Sequence, residues 1–306
     1  MRSAWLLAAL GLVVAARPTH RADPGPTLSV RVPGGWETWW REGAAPARWA
    51  GPLPAVADRI TWRRAGPGLD WGEFSLSGDG EAFRVRVIVA RLDPQALGLR
   101  LVKPEDGPVY AGRWDIGEAP ASAVFAVNAG QFTAGPWGWL VQDGVERQRP
   151  GSGPLAPGVV VDTAGTVRLV PPDSLVTVRA GARLAFQSYP TVLERDGDVP
   201  AALRTDGLGV NRRHRDARLA LGQLRDGRVL VAMTRFEGLR GALENLPLGL
   251  TTPEMAAVMG ALGASRAVLL DGGISSQMLI RDGAKTHRWP GWRRVALGLV
   301  AVPRAR

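Results

Sequence analysis

The chain has 306 residues, 45% of them hydrophobic and 22% charged, the balance of an ordinary globular protein with length enough for a large core. It has no cysteine, which excludes disulfides, thiolate catalysis, structural zinc–thiolate sites and a lipid-modified N-terminal Cys. The formal net charge of +10 attracts anions in general, but the arginines are scattered through predicted strands and loops and form no tail or helical stripe, so no nucleic-acid partner is expected.

In chain order, residues 1–16 read as a secretory signal: Arg2 supplies the charge, Trp5 to Ala16 is apolar, and Val14-Ala15-Ala16 offers a small-residue cleavage site. The expectation is a secreted or periplasmic protein with no stable membrane insertion after cleavage. Residues 17–59 are rich in Pro, Ala, Gly and Trp (Trp36, Trp39, Trp40, Trp49) without a sustained period, which reads as a linker or an irregular arm anchored by buried indoles. Residues 60–306 form the main domain. It opens with the alternating run from Phe83 to Ala90, typical of a half-buried strand. A short apolar strand, Val124 to Val127, leads into Asn128-Ala129-Gly130-Gln131-Phe132. Hairpins are predicted around Thr163-Ala164-Gly165 and around Asp226-Gly227. A helix is predicted from about Pro253 to Leu262, with Thr251 and Glu254 in capping-box spacing, Pro253 in the first turn and Gly263 as terminator. Its apolar residues Met255, Val258, Met259 and Leu262 predict one face on a sheet. Strands follow at Ala267 to Leu270, Gln277 to Ile280 and Val295 to Val302. The fold class expected is α+β, a mixed, strand-rich sheet core with one or two packed helices.

Ala267-Val268-Leu269-Leu270-Asp271-Gly272-Gly273-Ile274-Ser275-Ser276 is the best active-site candidate. An ionised carboxylate is costly away from water unless paired, so Asp271 belongs at a strand mouth. Gly272 and Gly273 permit positive φ and close backbone approach to a ligand. No nucleophile elbow, phosphate loop or His-Glu-x-x-His motif occurs, and with only three histidines a multi-histidine metal centre is not expected, nor is a cofactor. What remains is a set of polar residues at predicted strand ends: Asn128, Arg218, Asp271, Ser275 and Ser276.

This pattern resembles the phosphodiester glycosidase family, whose members remove a sugar such as N-acetylglucosamine from a phosphodiester. The matching segments are Asn128 to Phe132, the stretch from His214 to Gly222 with Arg218 and Ala220, and the helix–strand unit from Gly249 to Ser276; the early strand ending in Leu92-Asp93-Pro94 also matches. The chain departs from the family's usual residues at Ala129 (Gly), Gln131 (Phe), Leu269 (Asn) and Ile274 (Gly). The resemblance implies hydrolysis of a sugar phosphodiester. The leaving phosphate monoester is far less basic than an alcohol, so its protonation is a smaller part of the barrier than in ordinary glycoside hydrolysis. In this reading Asp271 is nucleophile or general base. Arg218 clamps the phosphate with its planar fork. Asn128, Ser275 and Ser276 bond substrate oxygens, with Gly130, Gly272 and Gly273 giving backbone access and His214 binding substrate or acting as acid. The sequence does not select a second carboxylate from Asp143, Glu194, Asp206 and Glu237. The partner expected is a sugar phosphate or phosphoglycan. The alternative is a catalytically degenerate envelope module that binds phosphorylated or acidic glycans.

Overall fold

The computed structural model describes residues 25–102, 114–132, 135–238, 244 and 246–304; the expected signal peptide lies outside the described residues. Among the described residues nineteen strands follow one another: β1 (Thr27–Val32), β2 (Gly35–Arg41), β3 (Arg63–Gly66), β4 (Leu69–Gly78), β5 (Val85–Leu92), β6 (Leu97–Val102), β7 (Phe125–Asn128), β8 (Leu140–Gln142), β9 (Val145–Gln148), β10 (Gly158–Asp162), β11 (Val167–Val170), β12 (Ala182–Gln187), β13 (Thr191–Leu193), β14 (Leu219–Leu224), β15 (Val229–Phe236), β16 (Ala264–Leu269), β17 (Met278–Asp282), β18 (Lys285–Trp289) and β19 (Gly298–Pro303). Helix is sparse among the described residues: α1 (Pro54–Ala57), α2 (Leu175–Val178) and α3 (Ala201–Arg204) are single turns, and of these helices only α4 (Thr252–Ala261) is longer.

The strands form three sheets. The largest has nine strands, in the order β13-β16-β14-β15-β5-β4-β1-β2 with β3 on β4; one five-stranded sheet runs β11-β10-β12-β8-β9 and another β18-β17-β7-β19-β6. Every ladder among the described residues is antiparallel, which corrects the expectation of a mixed sheet. The reason lies in β14. It pairs antiparallel with both β15 and β16, so the β15–α4–β16 crossover joins two strands that run the same way but never touch. Short hairpins such as those at Asp226-Gly227 and Gly165, both glycines at φ +86°, make the remaining neighbours antiparallel.

The nine-stranded sheet is buried on both faces. Along β5, Ile88, Ala90 and Leu92 enter a core shared with both smaller sheets, while Val85, Val87 and Val89 enter a second core with α4 and the N-terminal hairpin. The half-buried strand expected here is therefore two-sided, because cover comes from elements far away in sequence. One such element is the segment read as a linker or irregular arm: β1 and β2 form a hairpin that adds to the edge of the sheet through β4. Trp40 and Trp49 from this segment are buried and Trp36 is exposed. Helix α4 begins at the expected capping box, with Thr251 and Glu254 each bonding the other's backbone N–H. All ten of its residues are buried, so it has no exposed face, in contrast to the one-sided packing expected. Its second face is built from Ala256, Ala257, Gly260 and Ala261, small enough for the Trp49 indole to lie against Gly260, where a Cβ would stand 2.2 Å from the ring.

Candidate active site

Two strand junctions meet at the carboxyl end of β16. Ala220 of β14 lies opposite Leu269 of β16, so the chain entering β14, residues 214–218, runs beside the chain leaving β16. Val127 of β7 lies opposite Met278 of β17, so residues 271–277 cross from the large sheet to the C-terminal sheet past Asn128. The expected strand-end residues are thus gathered by antiparallel pairing in two different sheets.

Asn128 is wholly buried. Its Nδ2 donates to the Asp271 carbonyl at 2.5 Å and its Oδ1 accepts from the Gln277 N–H at 3.2 Å. The Asp271 N–H in turn donates to the Gly130 carbonyl at 3.1 Å. The amide expected to bond substrate here holds the backbone at both ends of the 271–277 crossing. The Asp271 side chain is largely enclosed, and its Oδ2 is buried with no hydrogen-bond partner among the described residues. Burial pushes its pKa from 3.8 up to about 6; a hydrogen bond with Ser275 and the charge of Arg293 pull it down, while the like charge of Asp216 pushes it further up.

A second carboxylate beside this turn, Asp216, is one that the sequence did not single out. Burial raises its pKa as well, opposed by Arg218, by the Ala217 N–H at 2.8 Å and by His214. Of the four candidates drawn from sequence, Asp143 occupies the β8–β9 turn at φ +50°, and Asp206 pairs with Arg212 at 2.9 Å. Glu194 lines an apolar cavity of about 410 Å³ bordered by Pro154, Pro171 and Arg266 that shares no residue with this site. Glu237 is tied through its N–H to the Arg84 carbonyl. None of the four is among the groups that shift Asp271.

The two glycines after Asp271 make the approach of these carboxylates sterically feasible. A Cβ on Gly272 would lie 2.6 Å from the Ala217 carbonyl oxygen, and one on Gly273, at φ +58°, would lie 2.8 Å from Asp216 Oδ2. The Gly273 N–H also donates to the Ala217 carbonyl at 2.7 Å. Arg215 anchors the far side of segment 214–218 through a bidentate pair with the wholly buried Glu254, at 2.7 and 2.9 Å.

Arg218 is largely enclosed, and burial lowers its pKa while Asp216 and Glu254 raise it. Its Nε and Nη2 donate to the carbonyls of Leu250 (2.8 Å) and His214 (2.5 Å), so two of its five N–H groups are committed to backbone. His214 is 61% exposed, with Nε2 3.7 Å from Asp216 Oδ2. Ser275 reaches Asp271, but the substrate contact expected of Ser276 is closed: its hydroxyl is fully buried without a partner among the described residues. The Ser276 carbonyl accepts from Arg235, a guanidinium buried on β15 whose pKa burial lowers to about 10. Sequence reasoning missed Asp216, Arg293 and Arg235. Asp216 did carry a signal, a lone carboxylate among His214, Arg215 and Arg218 inside a motif already recognised.

Residues 121–302, which contain all of these site residues, match the family model of the phosphodiester glycosidases. The chain belongs to the phosphodiester glycosidase family. Among solved structures, the fold is similar to the zebrafish N-acetylglucosamine-1-phosphodiester alpha-N-acetylglucosaminidase catalytic domain auto-inhibited by its pro-peptide, with a TM-score of 0.60 and 15% identity over 86% of this chain and 96% of that one. It is also similar to a hypothetical protein from Synechocystis, with a TM-score of 0.50 and 15% identity over 82% of this chain and 65% of that one. At such identities these likenesses speak for the fold alone. No curated protein matches the sequence. Among the described residues no helix is long and apolar enough to cross a membrane, and no group of three or more His, Asp or Glu is placed to hold a metal ion.

Proposed function

We propose that the protein hydrolyses the glycosidic bond of a sugar phosphodiester, with Asp271 and Asp216 as its two carboxylates. The observation that carries this reading is that antiparallel pairing and the Gly272-Gly273 turn bring two half-buried carboxylates to one strand mouth, the Asp216 carboxylate lying against Gly273, two residues from Asp271. Their pKa values are raised by burial, which is how a site keeps a carboxyl ready to exchange a proton near neutrality. Asp271, fixed from Asn128 and Gly130, acts at the anomeric carbon, as nucleophile or as base to the attacking water. The anomeric C–O bond breaks, the phosphate monoester leaves with the bonding electron pair, and the proton that water gives up passes to a carboxylate of the pair. Arg218, held by two backbone carbonyls, is a fixed cation beside Asp216 that favours its ionised form.

The test is release of free sugar from a panel of nucleotide sugars and glycan 1-phosphodiesters, with the Asp271→Asn variant alongside. Release that vanishes in the variant while ligand binding persists supports the reading, and the anomer first released separates the nucleophile from the base role. Binding without release by the wild-type protein from any member refutes it in favour of a binding module.

A further inference from the structure

We propose that the loop 290–293 is the subsite for the leaving phosphate monoester: Arg293 binds its phosphate, and the exposed Trp292 indole with the Ile274 side chain receives the group esterified to it, which is therefore flat or apolar. This inference rests on the glycosidase reading above and names the substrate class of that same site.

The loop is seated on the catalytic turn. The N–H groups of Trp292 and Arg293 both donate to the Ile274 carbonyl, at 2.8 and 3.0 Å. Gly291 lies so flat on the turn that a Cβ there would stand 3.1 to 3.2 Å from the carbonyl oxygens of Ile274, Ser275 and Ser276. Arg235 locks the two together from below, its Nη2 donating to the carbonyls of Ser276 (2.8 Å), Trp289 (3.1 Å) and Pro290 (3.0 Å). A buried guanidinium engaged with three carbonyls holds the loop in one place relative to Asp271.

What the loop presents is a cation and an apolar face. Arg293 lies over the Phe132 ring, 4.8 Å from its centroid, and is near enough to Asp271 for its charge to be felt there. Its neighbour Arg294 is committed to Asp115 and Glu118 at 2.9 and 2.7 Å, whereas among the described residues no carboxylate stands within ion-pair distance of Arg293. Arg218 spends its Nε and one Nη on backbone carbonyls and lies beside Asp216, whereas Arg293 is exposed and has no ion-pair partner among the described residues, so its fork is open to an anion. Trp292 is 59% exposed, more than any other tryptophan among the described residues, and Ile274 beside it is 40% exposed. An exposed indole next to an open guanidinium suits a phosphate that carries a ring or alkyl group, because the ring stacks or packs while the fork holds the oxygens.

The test uses the leaving groups themselves, titrating the wild-type protein with phenyl phosphate and with methyl phosphate by calorimetry. Phenyl phosphate is expected to bind about tenfold more tightly, as one desolvated aromatic contact is worth. Trp292→Ala should reduce that preference to about twofold or less, and Arg293→Gln should weaken both ligands about tenfold or more. Both side chains are exposed, and an unchanged melting temperature confirms that the variants fold. Equal affinity for the two phosphates, an unaltered preference in Trp292→Ala, unaltered binding in Arg293→Gln, or no binding of either at millimolar concentration each overturns the proposal. Because these ligands bind without turnover, failure here with sugar release intact removes only the subsite. The expected binding pattern with no sugar release removes the glycosidase reading instead.

Discussion

Asp271→Asn should make the protein more stable at neutral and alkaline pH, and not at acidic pH. Burial holds the Asp271 carboxyl at about 6 in the folded chain, whereas it titrates at the ordinary value of 3.8 once exposed. Below pH 3.8 both states carry the proton and the group contributes nothing to the pH dependence. Between 3.8 and about 6 the folded state binds more protons than the unfolded one, so stability falls as pH rises; above 6 both states are ionised and the whole penalty stands. At about 1.36 kcal/mol per pKa unit the penalty approaches ~3 kcal/mol. An amide of the same shape escapes it but keeps an unsatisfied polar atom where Oδ2 lacks a partner, so a net gain of about 1–3 kcal/mol is expected at pH 8. For a chain of this size that is a rise in Tm of about 2–8 °C. The assay is thermal and urea unfolding of both proteins at pH 4, 6 and 8. A stability difference that stays constant across this range, or a variant less stable than wild type at pH 8, refutes the claim that Asp271 is held ionised against desolvation. The expected result pairs greater stability with lost turnover, the signature of a strained catalytic group.

The coupling of the two carboxylates predicts an acidic limb of kcat/KM near pH 6, moved to lower pH by Asp216→Asn because a like charge is removed; a limb unmoved by that change argues against the pair. Gly273→Ala should cost about 1–3 kcal/mol and reduce turnover, since its Cβ would meet Asp216. Gly283→Ala, at φ +57° with nothing nearby, isolates the backbone strain alone and should leave activity intact when both are measured together. Asn128→Leu removes the two side-chain bonds that Asn128 gives the 271–277 crossing and should lower kcat about tenfold or more with a stability loss of about 2–4 kcal/mol, checked by turnover and urea unfolding. Glu254→Gln breaks a buried bidentate pair and should cost about 3–5 kcal/mol in the same unfolding experiment.

The sequence by itself determined what short-range chemistry dictates. The capping box at Thr251 and Glu254, the Asp226-Gly227 hairpin, and a strand closing on Asp271 with two glycines are each written within a dozen residues, where spacing and turn preference act directly. Family membership was legible for the same reason, since its motifs are local. Tertiary structure decided everything that depends on which strand lies beside which. The intervention of β14 between β15 and β16 made the sheet antiparallel, and the same pairing placed Asp216, 57 residues earlier in sequence, against Gly273. Pairing of β7 with β17 turned Asn128 inward to the Asp271 backbone, and the Ile274 carbonyl captured the loop bearing Arg293. Charges and amides carry no periodic signal of their partners. Their roles are fixed by desolvation and distance, quantities that exist only once the sheets have closed around them.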